Sequence, residues 1–206
     1  MIEFLIGTSL AASAGLNAWM PLFLLGLTDR LLPAVVLPPS WSWLSSDLAL
    51  WILGALLLLE IVADKIPALD SVNDVIQSIL RPASGGIAFG AGSGAQTIAV
   101  DDPAAFFTDN AWVPVVVGIT IALVVHIVKA TARVAANTVT GGLAAPVLST
   151  AEDGASFMLA ATAIVIPVVA ALLLVGLVVV AIVGVRRLAR MRRAGDDGQP
   201  AGGIHA

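Results

Sequence analysis

An apolar run from Ala49 through eleven residues leads without interruption into Glu60, Asp64, Lys65 and Asp70. With the charges set into its end, the stretch from Ala49 to Asp70 reads as a span of a hydrocarbon layer of ~30 Å. Moving an ion from water into that layer costs at least a few kcal/mol, so such side chains belong on an inward, pairing or functional surface. A second apolar run, Trp112 to Val128, ends in the opposite sign, with His126, Lys129 and Arg133. Two runs with complementary charge at their ends point to a helical membrane protein with an internal ionic cluster.

Composition agrees. Apolar residues make up 59% of the chain and charged residues 12%, with mean hydropathy +1.00, against roughly half and a quarter in soluble domains. At 206 residues the chain suits one transmembrane domain over 1–185 and a basic, disordered tail over 186–206, with no separate soluble catalytic module. Arg186, Arg187, Arg190, Arg192 and Arg193 crowd into that tail, which places it on the cytoplasmic side of a multi-pass inner-membrane protein. The tail suits anionic lipid headgroups; without a folded module or interleaved aromatics it does not read as a nucleic-acid binder. There is no cysteine, which excludes disulfides, thiol catalysis and iron–sulfur ligation. The start, Met-Ile-Glu3-Phe-Leu-Ile-Gly, lacks a positive n-region and reads as a retained first span rather than a cleaved leader.

Span one is expected over about residues 2–27, with Gly7, Ala11 and Gly15 as a small-residue ridge and Ser9, Ser13 and Asn17 as an inward polar stripe. Pro33, Pro38, Pro39, Trp41 and Trp43 mark an interfacial loop before span two, 47–65, which breaks near Pro67. Ser71 and Asp74 read as a capping pair opening a short amphipathic helix that Arg81-Pro82 stops. Residues 83–100, glycine-rich, are either a full span or a re-entrant hairpin. Span three covers 112–129 with a helix continuing to Asn137. Ser149 with Glu152, or Thr150 with Asp153, reads as a capping box for a last helix over about 151–185 that contains Pro167 and should be kinked, tilted or projecting from the membrane. Four crossings or six both put the N-terminus on the same side as the tail.

The fold class expected is therefore all-α: a polytopic transmembrane helical bundle with interrupted or re-entrant helices. Glu60 and Asp64 share a helix face and repel, so they need a shared proton, a cation or a basic partner. Lys129, Arg133 and Asn137 continue a stripe begun by His126, suited to an anion, a lipid phosphate or those acids; for Lys129 alone, snorkelling to the interface is the simpler reading. Glu152 and Asp153 fit a helix N-terminus, where the macrodipole favours acids. Enzyme motifs are sparse: Gly90-Ala-Gly92-Ser93-Gly94 is neither a dinucleotide fingerprint nor a nucleophile elbow, and two histidines make no zinc site. No cofactor is expected, and enzyme activity is disfavoured.

Glu60-x3-Asp64-Lys65-x-Pro67-x2-Asp70, followed by Arg81-Pro82, resembles the first motif of the bacterial membrane proteins grouped as domain of unknown function 4126. Lys129-x3-Arg133-x3-Asn137, followed by Ser149-x2-Glu152-Asp153, resembles the second. The likeness runs over about residues 15–156, apart from the stretch 138–148, and implies a multi-span inner-membrane protein without an assigned activity. Glu60, Asp64, Lys65, Asp70, Lys129, Arg133, Asn137, Glu152 and Asp153 are thus the candidate ion- or substrate-binding residues. The first expectation is a transporter- or channel-like protein taking a proton, a cation or an anionic lipid. The alternative is a non-catalytic scaffold or lipid-interacting protein whose charges lock helices together.

Overall fold

The computed structural model describes residues 1–100, 110 and 112–196; for residues 67–72, 74, 139, 185 and 187–196 it describes the backbone alone. Seven α-helices form: α1 Ile2–Leu16, α2 Met20–Leu31, α3 Asp47–Ala63, α4 Pro67–Ser93, α5 Trp112–Thr140, α6 Ala145–Val165 and α7 Pro167–Asp196, with a 3-10 turn at Ser42–Ser45. Among the described residues the only extended pairings are the isolated bridges Val36–Gln96 and Thr97–Val100. The all-helical expectation holds, but several boundaries move.

The first span is not continuous. It breaks at Asn17-Ala18-Trp19, and the chain turns back. Gly92, near the end of α4, packs on Ile6 and Leu10 of α1, while Gly94 packs on Pro38 and Gln96 bridges Val36, both just beyond α2. The outer ends of α1 and α2 therefore lie together at one end of the bundle, here the loop end, and the pair forms a hairpin with its tip inside. α3 starts at the loop end, where Asp47 pairs with Arg30 of α2, and runs antiparallel to α2 until Glu60 meets Ala18. α5 and α7 run the same way as α3; α4 and α6 run back. The 64–66 and 141–144 turns and the far half of α7 define the opposite, tail end. Five helices, α3 to α7, thus run the length of the bundle.

α4 is one helix, not a short segment stopped at Arg81-Pro82 followed by a separate glycine-rich span. Pro82 lies inside it and leaves one backbone acceptor unpaired, a defect that neighbouring helices can compensate. Its amphipathicity is inverted: Val75, Ile76 and Ile79 are exposed, while Gln77 and Arg81 are buried. The expected capping pair, Ser71 and Asp74, and the candidate ligand Asp70 have side chains outside the described residues, as does the loop 101–109. The expected last helix is two helices, α6 and α7, broken at Ile166-Pro167. α6 begins at Ala145, so Ser149 and Glu152 sit inside it rather than at its cap. α7 runs on through the arginines of the tail to Asp196.

Apolar packing concentrates at the loop end. Ile6, Leu10, Leu22, Leu25, Val35 and Ile164 belong to one buried cluster, and a second gathers Leu16 and Leu159 with Leu174 and Leu177 of α7. α4 and α5 approach backbone to backbone at Gly85 and Gly118. A Cβ on Gly118 would lie 2.2 Å from the Gly85 carbonyl oxygen. Outside, large apolar side chains face solvent: Trp51 is 80% exposed, and Leu172, Val175 and Val180 line α7. Apolar outside and charged inside inverts the soluble-protein pattern. Two helical segments, Trp112–Thr138 and Pro167–Gly184, are long and apolar enough to cross a membrane.

Candidate functional site

The hairpin tip brings two half-helix ends into the bundle. The C-terminal end of α1 offers unpaired carbonyls and the start of α2 offers unpaired N–H groups. Asn17 serves the second: its Oδ1 accepts from the N–H of Trp19 at 3.2 Å and of Met20 at 3.1 Å, closing an Asx-type turn. Its amide nitrogen donates to Asp153 Oδ1 at 3.0 Å, which ties the tip to α6. Charged side chains serve what remains. Lys129 Nζ donates to the Leu16 carbonyl at 2.8 Å, and the Ala18 N–H donates to the Glu60 carboxylate at 3.1 Å. Each sign matches the dipole end it meets, cation at the helix C-terminus and anion at the N-terminus. Asn17→Ala is expected to cost about 1–2 kcal/mol, the scale of a lost cap. Denaturant or thermal unfolding of the detergent-solubilised protein reads it.

Around this tip the charges form one network. Arg81 Nη2 donates to Glu60 Oε1 at 3.0 Å and lies 3.5 Å from Asp64 Oδ2. Asp64 Oδ2 is also 3.3 Å from Lys129 Nζ and 3.4 Å from Arg133 Nη2, so three cations share one carboxylate oxygen. Its other oxygen accepts from Asn73 Nδ2. Glu152 takes Lys129 at 3.0 Å and also pairs with Arg133. At the edge, Lys65 Nζ reaches Asp153 Oδ2 at 3.2 Å and the Ile61 carbonyl at 3.0 Å. Among the described residues four carboxylates face four cations, each acid paired with at least one base. Mutual pairing is what allows Arg81 and Glu60 to sit 0% and 1% exposed, since a lone charge there carries a desolvation cost of several kcal/mol.

His126 completes the α5 side. Arg81 Nη1 lies 3.0 Å from His126 Nδ1, and a guanidinium only donates, so Nδ1 accepts and the ring hydrogen sits on Nε2, 3.1 Å from Ser78 Oγ. One turn toward the loop end, Ser13 and Ser156 exchange hydrogen bonds, each hydroxyl donating to the other's carbonyl at 2.9 and 3.0 Å.

Of the candidate residues, Glu60, Asp64, Lys65, Lys129, Arg133, Glu152 and Asp153 come together. Asn137 lies one turn beyond Arg133 on α5, half-buried, and its Oδ1 has no partner among the described residues. Lys129 does not snorkel to an interface; it is 5% exposed and wedged between Leu16, Asp64 and Glu152. Glu152 and Asp153 pair with basic side chains instead of acting as N-terminal acids of a helix. Sequence reasoning missed Arg81, the most buried cation, because the proline after it reads as a stop. Its signal was present: Asn73, Gln77 and Arg81 recur at i, i+4 and i+8, a polar stripe on a helix whose other face is apolar.

The chain matches the family described as Domain of unknown function (DUF4126) over residues 4–187, a span that contains both charge motifs and the hairpin. No curated protein and no solved structure matches it. With nearly the whole helical bundle inside the matched region, this chain belongs to the domain of unknown function 4126 family.

Proposed function

We propose that this chain is a multi-pass integral membrane protein of a bacterial cytoplasmic membrane that moves protons or small cations through the charge network at the hairpin tip. α3 to α7 cross the bilayer, and α1–α2 dips in from the loop end and returns. By the positive-inside rule the arginine tail faces the cytoplasm. With five crossings the N-terminus then lies on the opposite face, not on the tail's side.

One observation carries the reading. The backbone is broken inside the bundle, and its free ends are held by exchangeable charged side chains, Lys129 on Leu16 and Glu60 on Ala18. Irregular backbone at membrane depth is tolerated where protein or a water-lined cavity surrounds it, and half-helix ends recur in ion and substrate sites. A lock between helices needs no such break. The sharing of Asp64 among Arg81, Lys129 and Arg133 supports the same reading. When one carboxylate takes a proton or a cation, each displaced base still has another acid within reach. Glu60 and Asp64 are the proposed carriers; Lys129 and Arg133 are the internal counter-charges that reoccupy them.

The scaffold reading rests on the mutual pairing of the described acids and bases, which a lock between helices would also show. Glu60→Gln separates the two, because it mimics a protonated carboxyl while keeping an acceptor for the Ala18 N–H. A carrier must tolerate that state, so the variant is expected to remain folded and monodisperse in detergent yet lose proton or cation flux in proteoliposomes. Unchanged flux with Glu60→Gln, or no flux in the native protein either, removes the carrier role.

A further inference from the structure

We infer that the cleft between α2, α3 and α4 holds one acyl chain of a bilayer phospholipid, entering at the loop end and stopping beside the Glu60–Arg81 pair. The inference rests on the proposed bilayer placement of α3 and α4, and not on transport.

The charge network joins α3 to α4 at one end, where Arg81 and Asn73 hold Glu60 and Asp64. Nearer the loop end the two helices stand apart around a cleft of about 480 Å³, floored by Trp19 and Leu22 of α2. That volume lies within the ~300–1,000 Å³ usual for ligand sites. Trp43 and Ser46 mark its outer end, Leu56 and Leu80 its inner end. Leu56 lies one turn before Glu60, and Leu80 directly precedes Arg81. Trp19 follows Ala18, whose N–H donates to Glu60. The cleft therefore stops at the hairpin tip, beside the most buried ion pair.

Three features select the occupant. The lining is aliphatic or tryptophan apart from two serines. The Ser46 hydroxyl is already engaged, donating to the Trp43 carbonyl at 2.8 Å and accepting from the Ala49 N–H at 3.2 Å. An ion or polar solute would lose its hydration there without compensation. Width is the second feature. From Ser46 to Leu56 α3 rises about 15 Å, so the cleft has a mean cross-section of about 30 Å². A helix about 10 Å across needs roughly 80 Å², so a helix of a second copy is too thick, whereas an extended hydrocarbon chain is not. The third feature is position. The cleft opens past the exposed side chains of Leu48, Ile52 and Ala83 onto the apolar outer surface that carries Trp51. In a bilayer the neighbour of that surface is hydrocarbon. At the mouth stand exposed Trp43 and Arg30, the latter contacting Ser45 and Asp47 on either side of Ser46. Tryptophan favours the headgroup level, and an arginine fork suits a lipid phosphate.

Brominated acyl chains quench indole fluorescence on contact. Trp19 is half-buried at the inner end of the cleft, whereas Trp51 faces outward. Full-length chains keeping Trp19 alone or Trp51 alone, with the other tryptophans changed to Phe, are placed in nanodiscs of phosphatidylcholine brominated at mid-chain. Comparable quenching of both is the expected result. Ala83→Phe, which fills the cleft from its exposed wall, should restore most of the Trp19 emission and leave Trp51 quenched. Quenching of Trp51 without Trp19 overturns the lipid, and cross-linked dimers in that case make a second copy the occupant. Trp19 quenching that survives Ala83→Phe overturns the cleft as the binding site. Quenching of neither removes the bilayer placement and the lipid together. Thermal melting checks assembly. If the multiple replacements fail to assemble, the native chain and Trp19→Phe, each with and without Ala83→Phe, give the Trp19 share by difference. Quenching reads the lipid and not flux, so the two proposals stand or fall separately.

Discussion

Arg81→Met is expected to be the most damaging single change, lowering stability in detergent by about 3–5 kcal/mol, the cost of breaking a buried ion pair from one side. Arg81 holds Glu60 at 3.0 Å, lies 3.5 Å from Asp64 and donates to His126, all with no exposure to solvent. Removing the cation leaves Glu60 facing only the Ala18 N–H and the hairpin tip. Arg81→Lys should recover little, since one ammonium point charge cannot span Glu60, Asp64 and His126 as the guanidinium fork does. The double variant Glu60→Gln with Arg81→Met removes both charges and should be more stable than Arg81→Met alone. Size-exclusion profiles and thermal melting in detergent measure the series, and a double-mutant cycle isolates the coupling. An Arg81→Met protein that melts with the native one would mean the network does not hold the bundle.

Gly118→Val should separate α4 from α5. Its Cβ would sit 2.2 Å from the Gly85 carbonyl oxygen and 2.6 Å from Phe89 Cβ, and a backbone oxygen cannot rotate away. The helices must move apart, with a destabilisation of about 3 kcal/mol, at the upper end for overpacking. The same displacement pulls Arg81 from His126, further along the same seam, so the proposed transport should fall with stability. Gly154→Ala is the comparison: nothing lies within 4 Å of its Cβ position, and it should be neutral or gain about 0.5–1 kcal/mol from helix propensity. Equal melting of the two variants would show that the seam is not tightly packed.

The charges of α3 and α5 are legible in the sequence because each follows an uninterrupted apolar run, where an ion has no neutral explanation. Their meeting with Glu152 and Asp153 is only half legible: the acids are visible, but a cap and an ion pair use the same residues at the same spacing. The hairpin is hidden because Ile2 to Leu27 is mostly apolar, and only Asn17 with Pro21, four residues on at the start of α2, hints at a break. Local composition cannot tell a straight span from two half-helices when the stabilising groups, Lys129 and Glu60, come from elsewhere in the chain. α4 is misread for a related reason. Proline after arginine normally ends a helix in water, whereas inside a bundle the packing of Gly85, Gly86 and Phe89 against α5 carries the helix through.

The inverted face of α4 bears on biosynthesis. Carrying Arg81 among few strongly apolar residues, this segment partitions poorly into lipid alone when it leaves the ribosome. In the proposed membrane topology Glu60 and Asp64 emerge just ahead of it, at the end of α3, so the two helices can enter the bilayer together with Arg81 already paired. Lys129 and Arg133 emerge after Asp64 and before Glu152, so Asp64 can hold them until α6 arrives.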